Sequence, residues 1–212
     1  MVKNDRKEDE KPKSLKILAA GDLHGSSDIA KKLAEKAKKN NVDLVLLLGD
    51  IHGALKESKN LIAPFKKAGQ KVLFVPGNWD TTEESNSIRD IYDIKNIDGY
   101  YTIHNDVGII GIGNPDFQLS LNAGHIKKIK NNFEKLSHKN IRKSILASHL
   151  HAQGTTAEFS GFPGSSHLRK AIDEFKPDFF ISAHIHEAEG IEEKIGKTKV
   201  INVGRKGKIL EI

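Results

Sequence analysis

Residues 44–50 have the sequence Leu-Val-Leu-Leu-Leu-Gly-Asp, an apolar run that stops at a glycine and an aspartate. A run of this length that is bounded by turn residues is typical of a buried strand. The aspartate, Asp50, would then follow the carboxyl end of that strand. In open α/β sheets, ligands bind in the crevice outside this edge. The stretch therefore predicts an α/β fold and places a polar side chain where such folds have their site.

Four further apolar runs end in polar clusters of the same kind. They are followed by Asp22-Leu23-His24, Gly77-Asn78, Ser148-His149 and His184-Ile185-His186. Because the loops after parallel strands converge, we expect seven side chains in one small volume. These are Asp22, His24, Asp50, Asn78, His149, His184 and His186. The mixture of carboxylate, amide and imidazole ligands suits Mn, Fe, Zn or Ni better than calcium, which prefers oxygen ligands throughout.

Each cluster also has an ordinary explanation when it is taken alone. An aspartate or asparagine after a strand is usually a turn former or a helix cap. A single histidine near a strand end is more often a satisfied polar residue than a ligand. Five clusters at five strand ends favour a metal pair instead. Asp22 and His24, two residues apart, could chelate one cation, and Asp50 could bridge two cations about 3.5–4 Å apart.

The remaining pattern predicts alternating strands and helices in one domain. Strands at 15–20, 44–48 and 71–75, with helices at 28–39 and 55–67, form a parallel βαβαβ unit. Asn105 and Asp106 mark the turn of a hairpin between strands 100–104 and 107–112. The rest is predicted as a helix at 121–137, a strand at 143–148, a helix at 165–175 and strands at 178–182, 187–195, 199–203 and 207–211. We expect a charged, disordered tail at 1–14 and a single domain at 15–212, with two facing sheets or one mixed sheet.

Composition excludes several classes of protein. The chain has no cysteine, so disulfides and thiolate metal sites are absent. Lysine and arginine number 34 against 28 acidic residues, for a net charge of +6, but they are scattered among acids and do not indicate a nucleic-acid-binding protein or a nuclease. The charged N-terminus has no apolar core of a signal peptide, and no apolar run reaches the roughly 20 residues that span a membrane. We therefore expect a soluble, cytoplasmic protein.

The clusters resemble, in order, the motifs of the calcineurin-like metallophosphoesterases. That family's series is D-x-H, G-D-x-x-G, G-N-H-[DE], a histidine, and G-H-x-H. The chain has Asp22-Leu23-His24, Gly49-Asp50-Ile51-His52-Gly53, Gly77-Asn78-Trp79-Asp80, Ser148-His149 and Ala183-His184-Ile185-His186. The likeness spans residues 15 to about 205 and is greatest to the bacterial and archaeal predicted phosphoesterases related to the Icc cyclic-nucleotide enzymes. It implies a four-layer αββα sandwich, in which two mixed sheets are flanked by helices.

The resemblance also implies a set of ligands and a reaction. One metal would be held by Asp22, His24, Asp50 and His186, and a second by Asp50, Asn78, His149 and His184. A hydroxide bridging two divalent metals (Mn, Fe, Zn or Ni) would attack the phosphorus of a small phosphomonoester or phosphodiester. The substrate expected from the family is a small phosphate ester, for example a nucleotide.

Trp79 is a departure from the family pattern. It stands where the family has the histidine that protonates the leaving group, and an indole has no proton to give near neutral pH. Asp80, which orients that histidine in the family, loses its usual partner. His52, His125 or His151 are candidates to enter the cleft instead. The candidate catalytic residues are thus Asp50, Asn78, Asp80, His52 and His151.

The departure leaves two functions open. The chain is expected to be a metal-dependent phosphoesterase with reduced or leaving-group-selective activity. The alternative is a catalytically weak metal-binding scaffold on the same fold. Trp79 itself could line the cleft or stack on an aromatic group of a ligand. Residues 154–164 are expected to form a mobile loop near the substrate, and Arg205 either contacts phosphate or is an exposed turn residue.

Overall fold

A computed structural model describes residues 14–53 and 60–212 of the 212-residue chain. Nearly all of the predicted tail and residues 55–59 of the predicted second helix lie outside these ranges. The strands are β1 (Lys16–Ala20), β2 (Leu44–Leu48), β3 (Val72–Val75), β4 (Lys95–Asn96), β5 (Tyr101–His104), β6 (Val107–Ile112), β7 (Lys143–Ser148), β8 (Phe179–Ser182), β9 (Glu192–Ile195), β10 (Thr198–Asn202) and β11 (Lys208–Glu211). The helices are α1 (Ser27–Lys39), α2 (Ala63–Lys67), α3 (Thr82–Tyr92), α4 (Ala123–Ser137) and α5 (Ser166–Phe175).

The strands form two sheets. The first sheet has the order β11-β1-β2-β3-β4, in which only β11 is antiparallel to its neighbour. The second sheet has the order β5-β6-β7-β8-β10-β9, with parallel strands in the middle and the antiparallel strands β5 and β9 at its edges. The sequence left two sheets or one mixed sheet open, and the structure has two.

The two sheets pack face to face, with helices on both outer sides. Alternate side chains of β1 show the arrangement: Ile17 and Ala19 pack between the sheets, whereas Leu18 packs outward with residues of α1. The inner layer joins apolar residues of β1, β2 and β3 to those of β6, β7, β8 and β10. A second outer layer packs α4 and α5 against the other sheet. The four-layer αββα sandwich is confirmed.

Most predicted elements are confirmed to within a few residues, and Ser26 caps α1 as its side chain accepts from Ile29 N. Within the described residues the predicted helix at 55–67 is shorter than expected, because residues 60–62 are not helical and α2 begins at Ala63. Pro64 lies in its first turn, where a proline is tolerated because the N–H groups there have no intrahelical partner, whereas deeper in a helix it would remove a hydrogen bond. The predicted strand at 187–195 is also too long. Residues 186–188 form a 3₁₀ turn, and Gly190 has a φ of +88°, so β9 begins at Glu192.

Helix α3 and the short strand β4 have no counterpart in the prediction. Helix α3 buries only Ser85 and Ile88, which is too little apolar periodicity to detect. The start of α3 has a capping box, a sequence pattern that indicates a helix N-terminus. In it, Thr81 accepts from Glu84 N and Glu84 accepts from Thr81 N. In the part of the chain that the structure describes, no helix combines the length and the apolar character needed to cross a membrane.

Candidate metal centre

Five loops meet where the carboxyl ends of the two sheets face each other. The loops after β1 and β2 are joined by main-chain hydrogen bonds, in which Asp22 N donates to Gly49 O at 3.0 Å and His24 N donates to Asp50 O at 2.8 Å. Across the second sheet, Ala183 N donates to His149 O at 3.1 Å. Rigid strands thus hold the loops, and the seven predicted ligand side chains lie together at this junction.

The first ligand group consists of Asp22, His24 and His186, whose ligand atoms all lie within 4.8 Å of one another. The Nε2 atoms of His24 and His186 are 3.3 Å apart. Oδ1 of Asp22 lies 3.7 Å from His186 Nε2. Asp22 is fully buried, whereas the two imidazoles reach solvent, so this group opens to the outside.

The second ligand group consists of Asp50, His149 and His184, and the side chain of Asn78 joins it. Nε2 of His149 lies 3.1 Å from Asn78 Oδ1 and 3.1 Å from His184 Nδ1. The other nitrogen of His149, Nδ1, donates to Leu48 O at 2.9 Å. That bond orients the ring so that Nε2 faces the centre of the group, as outer partners of ligand histidines commonly do.

Asp50 lies between the two groups. One of its oxygens, Oδ2, is 3.6 Å from His24 Nε2 and 3.4 Å from His149 Nε2. The other oxygen, Oδ1, accepts from Trp79 N at 2.9 Å. A single fixed carboxylate therefore faces both groups, which is the geometry that a ligand shared by two cations needs.

The backbone of the ligand loops is unusual. Four of the predicted ligands have left-handed φ angles: Asp22 (57°), His24 (43°), Asp50 (49°) and His184 (69°). Such conformations cost a non-glycine residue free energy and concentrate at functional sites. The close approach of the loops also depends on Gly49, where an added Cβ would lie 2.6 Å from Gly77 Cα.

The charges of the centre are strongly coupled. Burial disfavours a charged His149, but the nearby carboxylates of Asp50 and Asp22 outweigh burial and raise the His149 pKa to about 9. Burial and the neighbouring His149 lower the pKa of His184 to about 4. Burial would raise the pKa of Asp50, yet His149 keeps this pKa below its usual value. The second group thus holds positive charge on one imidazole only.

The residues fit a pair of divalent cations. Oδ2 of Asp22 is buried without a hydrogen-bond partner among the described residues, although a buried carboxylate oxygen normally has one. In each group two ring nitrogens face each other at 3.1–3.3 Å, a distance that requires a proton or a cation between them. Carboxylate, imidazole and amide ligands match the preferences of Mn, Fe, Zn and Ni.

Asp80 does not contribute to either ligand group. Its Oδ1 accepts from His52 N at 2.9 Å and lies 3.0 Å from His52 Nδ1, while its Oδ2 accepts from Gly77 N at 2.8 Å. The side chain of Asp80, which the sequence left without a partner, therefore joins the loop after β2 to the loop after β3. His52 is buried and is held by this contact.

The other candidate histidines differ in position. His151 is buried, its ring stacks on that of His184 at 6.3 Å, and its Nε2 donates to Phe162 O at 3.2 Å. His125 lies at the start of α4, where its ring contacts the helix cap Asn122. Of the two, only His151 lies beside a predicted ligand.

Trp79 and Arg205 lie at the rim of the centre. The indole of Trp79 is 41% exposed and makes an edge-to-face contact with Phe117 at 5.9 Å. Arg205, for which the sequence favoured an exposed turn, is half-buried and its Nε donates to Asp22 O at 2.8 Å. Its charge contributes to the pKa values of His24 and His186, so the guanidinium lies near the first ligand group. Contact with phosphate, the other alternative for Arg205, stays a prediction.

A family model described as calcineurin-like phosphoesterase matches residues 15–188. No protein of curated function is matched by its sequence. Protein TT1561 of Thermus thermophilus is similar in structure, with a TM-score of 0.72, 16% identity, and coverage of 94% of this chain and 99% of that one.

Two more solved structures share the fold. A dimetal phosphatase from Danio rerio has a TM-score of 0.66 at 13% identity, over 90% of this chain and 88% of that chain. A structure described as an archaeal phosphodiesterase has a TM-score of 0.55 at 18% identity, over 93% and 99% of the two chains. At these identities the likeness establishes the architecture alone.

Proposed function

The chain belongs to the calcineurin-like phosphoesterase family and is a metal-dependent phosphoesterase, and we propose that it hydrolyses small phosphomonoesters or phosphodiesters with two divalent metals and without a histidine at position 79. The observation that carries this proposal is the position of Asp50. One of its carboxylate oxygens, Oδ2, lies within 3.6 Å of a histidine from each ligand group. A nucleotide substrate, manganese as the metal and a cytoplasmic location complete the proposal.

In this proposal the seven predicted ligands have distinct roles. Asp22, His24, Asp50 and His186 would hold one cation, and Asp50, Asn78, His149 and His184 would hold the other. Two bound divalent cations would lower the pKa of water and neutralise charge on the phosphate. Asp50 would be shared by both cations, and the main-chain N–H of Trp79, which donates to its Oδ1, holds its carboxylate in place.

The residues around the ligands support the site without binding metal. Asp80 and His52 position the loops after β2 and β3 relative to each other. His151 supports the ring of His184 by stacking. Arg205, held by Asp22 O, directs its guanidinium toward the first group, where it can bind a phosphate oxygen.

Trp79 limits the leaving groups that the enzyme can accept. The indole cannot protonate an alkoxide, and general acid catalysis typically contributes about 10²–10⁴-fold. We therefore expect esters whose leaving group departs as a stable anion, such as an aryl oxide, to react much faster than alkyl esters.

The proposal is tested with bis-p-nitrophenyl phosphate and p-nitrophenyl phosphate, using metal-stripped protein resupplied with Mn, Ni, Fe or Zn. Turnover should depend on the metal and fall at least about 100-fold in Asp50→Asn. The matched control is Asp28→Asn, because the side chain of Asp28 is 81% exposed on α1 and should not matter. Equal turnover in Asp50→Asn and wild type would exclude the proposed site.

Trp79 also favours a second candidate, a metal-binding scaffold with little catalysis. The variant Trp79→His separates the two functions. If the wild type binds metal but hydrolyses neither ester, while Trp79→His gains activity, the chain uses its metal centre for binding. If the wild type is active, Trp79→His should chiefly accelerate esters with poor leaving groups.

A further inference from the structure

A cavity of about 480 Å³ lies beside the second ligand group and is used by no step described so far. One wall is the segment 119–121 before α4, and the other is the segment 162–167 that leads into α5. Leu119, Leu121, Leu150, Phe162 and Pro163 give it apolar walls. Its polar groups include Ser166 and His167 in the first turn of α5.

The cavity is continuous with the candidate metal centre. His184, a predicted ligand of the second metal, also lines the cavity, as does His151. The ring of Phe162 lies 6.5 Å from that of His184, and Phe162 O accepts from His151 Nε2. A group that fills the cavity would therefore lie next to anything bound at the second ligand group.

Exposed apolar side chains are concentrated on this side of the molecule. Phe162 is 63% exposed and Leu119 is 75% exposed, and both face the cavity. Two residues before Leu119, Phe117 is 64% exposed and contacts the exposed indole of Trp79. Exposed apolar surface around a concave site is typical of ligand binding, and the volume lies within the roughly 300–1,000 Å³ of small-molecule pockets.

We infer that the cavity binds an aromatic organic group of the phosphate ester, up to about the size of a nucleoside, while the phosphate lies at the ligand groups. This inference rests on the proposed function for the position of the phosphate. The apolar walls would hold the faces of the aromatic group, and Ser166 and His167 could hydrogen-bond to polar atoms at its edge.

Phosphonates test the inference, because their carbon–phosphorus bond is not hydrolysed. We would measure the affinity of the Mn-loaded protein for phenylphosphonate and methylphosphonate by isothermal titration calorimetry. The phenyl compound should bind about tenfold more tightly, from the burial of its ring. In Phe162→Ala or Leu119→Ala this preference should fall to about threefold or less.

Phe159→Ala is the matched control, since Phe159 lies three residues before Phe162 and is 60% exposed but does not line the cavity. Its phenyl preference should equal that of the wild type. Equal affinities for the two phosphonates in the wild type, or equal effects of Phe162→Ala and Phe159→Ala, would overturn the inference.

The calorimetric measurement also separates this inference from the proposed function. A phenyl preference that Phe162→Ala removes, in a protein that hydrolyses no ester with any metal, would support the cavity and contradict catalysis. Turnover of both nitrophenyl esters without any phenyl preference would leave the phosphoesterase proposal intact and exclude the cavity as a binding site.

Discussion

Gly77 illustrates how the absence of one side chain determines where a predicted metal ligand, Asp50, can lie. An added Cβ would collide with the carboxylate and main-chain nitrogen of Asp50, and Gly77 is not among the residues with a left-handed φ. The expected effect of Gly77→Ala is therefore steric. It should displace the carboxylate and lower turnover about 100-fold, with about 1–3 kcal/mol of lost stability.

Steady-state kinetics and thermal unfolding would be measured on Gly77→Ala and on Gly69→Ala. Gly69 has a φ of +75° but open space around its Cα, far from the ligand loops. Gly69→Ala should cost about 1 kcal/mol of stability and leave turnover unchanged. Full activity in Gly77→Ala would contradict the position assigned to Asp50.

The raised pKa of His149 predicts that metal affinity depends on pH. With a pKa of about 9 in the metal-free protein, His149 carries a proton at neutral pH, and a cation must displace it from Nε2. Affinity for Mn²⁺ should therefore rise by about tenfold per pH unit between pH 6 and 8 and level off above pH 9. His184, with a pKa of about 4, is already neutral over this range. Calorimetry in buffers of different ionisation enthalpy would count the protons released, and an affinity that is independent of pH would refute the assignment.

At the residue scale, the sequence predicts which polar side chains come together, but not the contacts around them. Asp22, Asp50, Asn78, His149 and His184 could be named because each follows an apolar run. The contact of Asp80 with His52 could not, since it joins two loops whose distance depends on the packing of β2 and β3. The same holds for Arg205, which reaches Asp22 O from the far end of the chain.

At the scale of secondary structure, Asp178 ties the beginning of β8 to that of β7. Its carboxylate accepts from Lys143 Nζ at 2.8 Å and from Ser144 N at 2.9 Å. Partial burial would raise its pKa, but the Lys143 and Ser144 contacts hold the pKa below the usual value. The ionised form therefore stabilises the fold above about pH 4, and this contribution is lost as the pH falls through the folded-state pKa.

Asp178→Asn should lower the free energy of unfolding by about 1 kcal/mol at pH 7, an amount limited by solvent screening at this partly exposed position. The difference from wild type should shrink below about pH 4. Asp173→Asn is the control, because its ion pair with Arg169 lies on the exposed face of α5 and should change stability by less than about 0.5 kcal/mol. Urea unfolding at several pH values measures both variants, and a constant difference down to pH 3 would count against this role.

The elements predicted correctly are those with strong periodicity or continuous apolar runs, such as α1 and β2. Errors arise where local chemistry overrides the pattern, as with Pro64 in α2 and Gly190 before β9. Strand β4 has only two polar residues, Lys95 and Asn96, and exists because it pairs with β3. No property of those two residues alone could have indicated it.

At the scale of the whole molecule, each ligand group takes residues from both sheets. Asp22 and His24 follow β1 in the first sheet, whereas His186 follows β8 in the second. In the second group, Asp50 follows β2 in the first sheet, whereas His149 and His184 follow β7 and β8 in the second. The sequence left the number of sheets open, because this number depends on which strands pair with each other over long sequence distances and not on any local pattern.

Metal binding should therefore tie the sheets together and stabilise the folded protein. At a free Mn²⁺ concentration 100 times the dissociation constant, linkage adds about 2.7 kcal/mol per site, or about 5 °C or more in melting temperature. Differential scanning fluorimetry with and without Mn²⁺ would measure the shift. Asp50→Asn should reduce it and Asp28→Asn should not; equal shifts in the two variants would show that the stabilising ions bind elsewhere.

The pairing of β11 with β1 has a consequence for biosynthesis. Residues 16–19 bond to residues 208–211, and Leu15 and Ile212 exchange main-chain hydrogen bonds. While a ribosome is making this protein, β1 can pair with β2 early, but its other edge stays open until residues 208–211 have emerged. An unpaired strand edge in an apolar sheet can hydrogen-bond to strands of other chains and cause aggregation. We therefore expect the nascent protein to need chaperone protection at this edge until β11 has emerged.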